Sequence, residues 1–216
     1  MKSSLFNPLK IEMPATLILA PVIPDGRLLA DIGKGALKKR SLLGATLLTF
    51  EKHSLLAGFI GYPHLLTLLE FIAAVREKEF YFLGLAGSLV SRFRPAQTVN
   101  VSQIRPSGVF SRFSRVRNFQ LKPFPDAGVS RAPAVSVDLI QRETPSWLRR
   151  QVRNGVALVE MEIFPLRVYL GKPFTALVVV SDRVTEKGIV PSAKRKDVAR
   201  EFLAAYDLIR RQIDHG

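Results

Sequence analysis

The apolar positions of this chain fall into short continuous runs more often than into strict alternation. Thr16 to Ala20 reads TLILA, Phe80 to Leu85 reads FYFLGL, and Ala176 to Val180 reads ALVVV. Such runs predict strands buried on both faces, as in a sheet covered by helices on each side. Ala45 to Phe50 and Ser54 to Ile60, joined by Glu51-Lys52-His53, predict a β-hairpin. Val99 to Ile104, Val135 to Leu139 and Ala157 to Val159 add three further strands. Helical spacing at Leu28, Leu29, Ile32 and Ala36 predicts a helix over 28–39, closed by Lys38-Lys39-Arg40. A second helix is predicted over 65–76, with Leu65, Leu68, Leu69 and Ile72 facing inward. Thr144-Pro145 supplies an N-cap hydroxyl and a first-turn proline for a third, which Gly155 ends. Val198, Phe202, Ala205, Ile209 and Ile213 form one stripe on a last helix over 194–213. The alternation of strands and helices predicts a single α/β domain over 1–216, in three layers α/β/α around a central mixed, twisted sheet.

Segment 91–133 breaks the pattern. Arg92, Arg94, Arg105, Arg112, Arg115, Arg117, Lys122 and Arg131 are interleaved there with Phe93, Phe110, Phe113, Phe119 and Phe124. Apart from the strand at 99–104 it reads as a basic, irregular excursion. Basic residues interleaved with aromatics suit single-stranded nucleic acid, but phenylalanines packing a loop onto the sheet explain the same pattern and are the favoured explanation.

Composition narrows the chemistry. The 216 residues are 47% hydrophobic, enough for one well-buried core. With no cysteine, disulfides, thiolate metal sites and cysteine nucleophiles are excluded. His53, His64 and His215 are scattered without ligand spacing, so no metal and no cofactor is expected. The net charge of +14 favours anionic partners without choosing among them. The N-terminal arm lacks the apolar core of a signal peptide, and the apolar run 55–75 is interrupted by Gly58, Gly61, Pro63, His64 and Glu70. It predicts strand, turn and helix rather than a membrane span, and a cytoplasmic protein.

Two acid-bearing stretches stand out. Glu160-Met161-Glu162 follows a strand, and Ser181-Asp182 follows the β-branched run ending at Val180. An open α/β sheet builds sites where strands deliver polar side chains at their carboxyl ends. Gly58-Phe59-Ile60-Gly61 and Gly84-Leu85-Ala86-Gly87 read as glycine-bearing loops after two other strands, where a backbone can approach a ligand.

Val159-Glu160-Met161-Glu162, Gly171-Lys172-Pro173, Val180-Ser181-Asp182, the two glycine segments and Val135-Ser136-Val137-Asp138 follow one another in an order that resembles the purine nucleoside phosphorylase and nucleosidase superfamily. That family includes methylthioadenosine/S-adenosylhomocysteine nucleosidase and futalosine hydrolase. The resemblance covers most of 16–213 and implies the phosphorylase/hydrolase-like fold and cleavage of a nucleoside N-glycosidic bond. It makes Asp182 the acid that protonates the leaving purine, oriented by Ser181, and Glu162 the clamp on the ribose hydroxyls. Met161 would lie under the sugar, with Glu160 in support. Gly61 and Leu85 would line the site, and Ile140 falls where the family stacks an aromatic on the base.

The family's phosphate-binding arginine falls at Phe82, and its loop serine at Leu85. Both changes remove donors, which favours water as nucleophile, with Asp25 matching the carboxylate that activates it. Asp25 also reads as an ordinary turn residue in Pro24-Asp25-Gly26. An alternative is a phosphorylase in which Arg27 or Arg195 rebuilds an anion site, and another is a non-catalytic member that binds nucleotides or nucleic acid. A homodimer is expected from the resemblance alone.

Overall fold

A computed structural model describes residues 11–59, 61–113, 117–126, 128–138, 143–191 and 193–215. The chain begins with β1 (Thr16–Ala20), α1 (Gly26–Gly33), β2 (Lys38–Leu42), β3 (Ala45–Thr49), β4 (His53–Ala57) and α2 (Gly61–Leu69). A single 3-10 turn at Val75–Glu77 leads into β5 (Glu79–Ser88), β6 (Thr98–Pro106), the short α3 (Phe110–Phe113), β7 (Phe119–Gln120) and β8 (Ser130–Ser136). The last third holds α4 (Pro145–Arg153), β9 (Leu158–Glu160), α5 (Ile163–Leu170), β10 (Thr175–Thr185), β11 (Gly188–Pro191) and α6 (Arg195–His215).

The strands form one mixed sheet in the order β11-β10-β6-β8-β9-β5-β1-β4-β3-β2. β10 also pairs in parallel with β5, which closes β5, β10, β6, β8 and β9 into a small barrel. The expected α/β class is present, and the closure is an addition to it. β1 is flanked by parallel partners, β4 and β5, and is wholly buried, as its unbroken apolar run predicts. Leu17 and Leu19 face one layer, with α2 and α5. Ile18 and Ala20 face the other, with α1 and α6. α6 contributes Val198, Phe202, Ala205 and Ile209 to that second layer, the stripe read from the sequence.

Several expectations need correction. The first helix stops at Gly33, and Lys38-Lys39-Arg40 lies on β2, paired antiparallel with β3. β2 ends the strand path, where exposed cations discourage edge-to-edge pairing with another chain. The second helix spans Gly61–Leu69 rather than 65–76. Beyond it the backbone bonds elsewhere, with Ile11 N–H donating to the Phe71 carbonyl at 2.8 Å and Ala73 N–H to Ile11 at 3.1 Å. Segment 91–133 is not irregular throughout, because its β6 is a strand of the barrel between β10 and β8. Asn100, fully buried on β6, donates to the Ala176 carbonyl at 3.0 Å and accepts from Phe124 N–H at 3.0 Å. Phe93, Phe110 and Phe124 are buried, so these rings pack against the core.

Gly84-Leu85-Ala86-Gly87 is not a loop. All four residues continue β5 beside β10. Gly84 is required because the Phe82 ring lies against it: a Cβ there would stand 2.5 Å from Phe82 Cε1. Nor does Asp182 end its strand, since β10 runs on to Thr185 and turns back as β11.

Candidate active site

A cavity of 180 Å³ lies beside the carboxyl-terminal part of β5 and the end of β9. Its acidic and hydroxyl side chains are Glu143, Glu160, Glu162, Ser181 and Asp182. Leu85, Val137, Val159, Met161, Val184 and Ile189 form most of its apolar wall. No lysine or arginine is among the described lining residues. A larger, open recess of 880 Å³ beside α4 carries Arg105, Arg117 and Arg150 but no carboxylate among its described residues, so these supply charge without an acid or base.

Asp182 owes its position to a bulge. The register of β10 against β5 runs Val180 to Ala86 and then Asp182 to Gly87, leaving Ser181 as the extra residue. The insertion resets the alternation, so Asp182 and Val184 line the cavity while Val178 and Val180 stay in the core. Ser181 Oγ donates to Asp182 Oδ2 at 2.9 Å. Burial raises the Asp182 pKa, and the Ser181 bond opposes that rise. Gly87 leaves room for the site. A Cβ on it would stand 3.0 Å from both Val159 Cγ1 and Val184 Cγ2, and 3.9 Å from Asp182 Oδ2.

The opposite wall is built from the junction of β9 and α5. Glu160 is 4% exposed. Its Oε2 accepts from the N–H groups of Glu162 and Ile163, each at 2.7 Å, and so satisfies the first donors of α5. Its Oε1 accepts from Ser136 Oγ, which in turn accepts from Phe164 N–H at 2.9 Å. Burial, followed by the Glu162 charge, raises Glu160 to about 8 against these bonds. Glu162 takes the N-cap position of α5 without capping it. Its carboxylate is raised to about 7 by burial, while the backbone N–H groups of Met161 and Gly61 favour its ionised form. Gly61, at φ +70°, thereby touches the site through its amide rather than as cavity wall.

Glu143 escaped the reading of the sequence. It precedes the Thr144 N-cap of α4, a place where an acid is ordinary. In the fold it lines the cavity, and burial, followed by the Asp182 charge, raises it to about 7. β11, which brings Ile189 to the wall, was also missed, although Gly188 marks its turn with φ +117°.

The remaining candidates are not brought together here. Asp25 is the N-cap of α1, accepting from Arg27 N–H at 2.9 Å, and it does not line the cavity. Arg27 is exposed on the first turn of α1. Arg195 Nε donates to the Pro24 carbonyl at 2.5 Å, tying the start of α6 to the loop after β1. Phe82, at the family's arginine position, is 1% exposed in the core. Ile140 lies outside the described residues.

No protein-family model matches the chain, and no curated protein matches it in sequence. Solved structures do. The 5′-methylthioadenosine/S-adenosylhomocysteine nucleosidase of Helicobacter pylori superposes with a TM-score of 0.71 at 15% identity, covering 95% of this chain and 100% of that one. The chain has the nucleosidase fold. Futalosine hydrolase of H. pylori gives a TM-score of 0.71 at 15% identity over 94% of this chain and 99% of that one. A nucleosidase of Chlamydia trachomatis, in an aspartate-to-asparagine variant with 5′-methylthioadenosine bound, gives 0.63 at 14% identity over 94% and 100%. The fold implied by the six ordered motifs is therefore the fold observed, in a chain whose residues have diverged widely from those of these nucleosidases.

Proposed function

We propose that this protein hydrolyses the N-glycosidic bond of a purine-type nucleoside. The observation that carries this reading is the convergence of Asp182 and Glu162, both shifted upward by burial, on one cavity of the nucleosidase fold. Protonated Asp182 donates to purine N7. The electrons of the C1′–N9 bond pass to the base, and water adds to the oxocarbenium-like sugar, its proton leaving to solvent. Ionised Glu162 accepts from the ribose hydroxyls, with Met161 beneath the sugar and Glu160 fixing the start of α5. The C. trachomatis neighbour, bound to 5′-methylthioadenosine as an aspartate-to-asparagine variant, is consistent with an aspartate at the chemical step.

The lining supports water over phosphate. No cation stands among its described residues, and Phe82 and Leu85 add no donor. Asp25 is held by the α1 backbone, so Asp25→Asn is expected to cost far less than Asp182→Asn. The groove between α2 and α5, 380 Å³ and walled by Tyr62, Leu66, Phe164, Pro165, Val168 and Tyr169, supports a homodimer with a second copy over that face.

The test is chromatography of the products from a nucleoside panel with and without phosphate. Free ribose and free base, at a rate indifferent to phosphate, are expected. Sugar 1-phosphate formed only in its presence would replace hydrolysis by phosphorolysis.

A further inference from the structure

Three arginines meet in the open recess beside α4, and the reaction proposed above uses none of them. Arg105 comes from the carboxyl end of β6, Arg117 from the segment before β7 and Arg150 from α4. No carboxylate lies among the described lining residues, and no described carboxylate pairs with any of the three. The recess shares no described lining residue with the acid cavity. Like charges gathered without a counter-charge repel one another, and a bound anion would offset that repulsion.

The recess is also organised for a ligand. Arg105 Nη1 donates to the Asn154 carbonyl at 3.0 Å, which fixes the guanidinium across the end of α4 and leaves its other N–H groups without a described partner. Trp147 Nε1 donates to Ser107 Oγ at 2.9 Å and so joins α4 to the segment after β6. Gln151 lines the recess and is only 8% exposed, yet its side-chain amide makes no hydrogen bond with a described residue. Buried amides are ordinarily hydrogen-bonded, and a ligand in the recess would supply the partner.

We propose that this recess binds a small molecule carrying two or more phosphate groups. Guanidinium forks match phosphate oxygens in both geometry and charge. One phosphate group carries about −1.5 to −2 charges, too few for three unopposed guanidinium groups, whereas two groups match them. The volume of 880 Å³ suits a small ligand. A nucleic-acid strand suits it less, because no aromatic ring stands among the described lining residues for bases to stack on.

The test is calorimetric titration of the full chain with inorganic pyrophosphate at low ionic strength, where charge contacts are least screened. The wild type is compared with Arg117→Gln, Arg150→Gln and Arg211→Gln. All three arginines are exposed, so none of the substitutions removes a core contact. Arg211, on α6, gives up the same charge outside the recess. One site per chain is expected, weakened about tenfold or more by Arg117→Gln and by Arg150→Gln and little changed by Arg211→Gln. No binding of pyrophosphate, or equal weakening by all three substitutions, overturns the proposal. So does a single-stranded oligonucleotide that binds more tightly than pyrophosphate through the same arginines, which would give the recess to nucleic acid. None of these outcomes involves base release, so the hydrolase reading stands or falls separately.

Discussion

Both oxygens of Glu160 are taken up by protein donors, so this carboxylate shapes the site without being free to grip a ligand. Its proton affinity has a consequence for stability. Burial raises it from 4.5 to about 8 in the folded state, so between those values the folded chain binds the proton more tightly than the unfolded chain. Unfolding free energy then falls as pH rises through that window, by at most about 1.4 kcal/mol per pH unit from this group. Glu160→Gln is expected to flatten that slope in denaturant titrations run at a series of pH values, and an unchanged slope would contradict the assignment. Glu162 and Asp182 were legible in the sequence because each adjoins a buried apolar run and matches a motif of the resembled family. Glu143 was not legible. An acid before a helix N-cap looks the same whether it faces water or a cavity, and only the packing of β10 and β11 around it makes the difference. Asp25 shows the reverse ambiguity, since Pro24-Asp25-Gly26 fits a catalytic loop and a helix cap equally well until the bond to Arg27 N–H is seen.

Among the elements, β10 does the most to build the site. Its first half, Thr175 to Val180, packs the core, and its second half, past Ser181, presents Asp182 and Val184 to the cavity. Inserting one residue between Ser181 and Asp182 would carry Asp182 one place along the ladder, opposite Ser88 instead of Gly87, and turn it to the other face. Base release is expected to fall by about 100-fold or more, the contribution of a placed general acid, while far-ultraviolet circular dichroism retains a folded spectrum. Full activity in the insertion variant would show that the register past the bulge does not place the acid. Phe202→Ala on α6 is the complementary case. Its ring is buried in the layer of α1 and α6 and does not itself line the cavity. It is expected to cost about 3–5 kcal/mol of stability with the turnover of the folded fraction unchanged. The strands buried on both faces were readable because each is an apolar run of strand length. The bulge and the continuation of β5 through Gly84 and Gly87 were not, because glycines that relieve crowding under Phe82 or beside Val159 are spelled like glycines of a loop.

The whole molecule joins two features that no local pattern announces. β10 pairs with β5 and β6 together, closing a barrel from strands far apart in sequence and drawing β6, within segment 91–133, into the core. Arg105, Arg117 and Arg150 border an open recess, Lys38 to Arg40 line a sheet edge, and the acid cavity has no described cation in its wall. Among the described residues, no helix is long and apolar enough to cross a membrane, and the apolar run over 55–75 divides between β4 and α2. The central claim is that this cavity cleaves a nucleoside with Asp182 as the acid. The most direct test is the rate of base release from a purine nucleoside with enzyme in excess, for the wild type and for Asp182→Asn. The account predicts release by the wild type and a drop of about 10²- to 10⁴-fold in the variant, with the nucleoside still bound. Release that is undiminished in Asp182→Asn would contradict it.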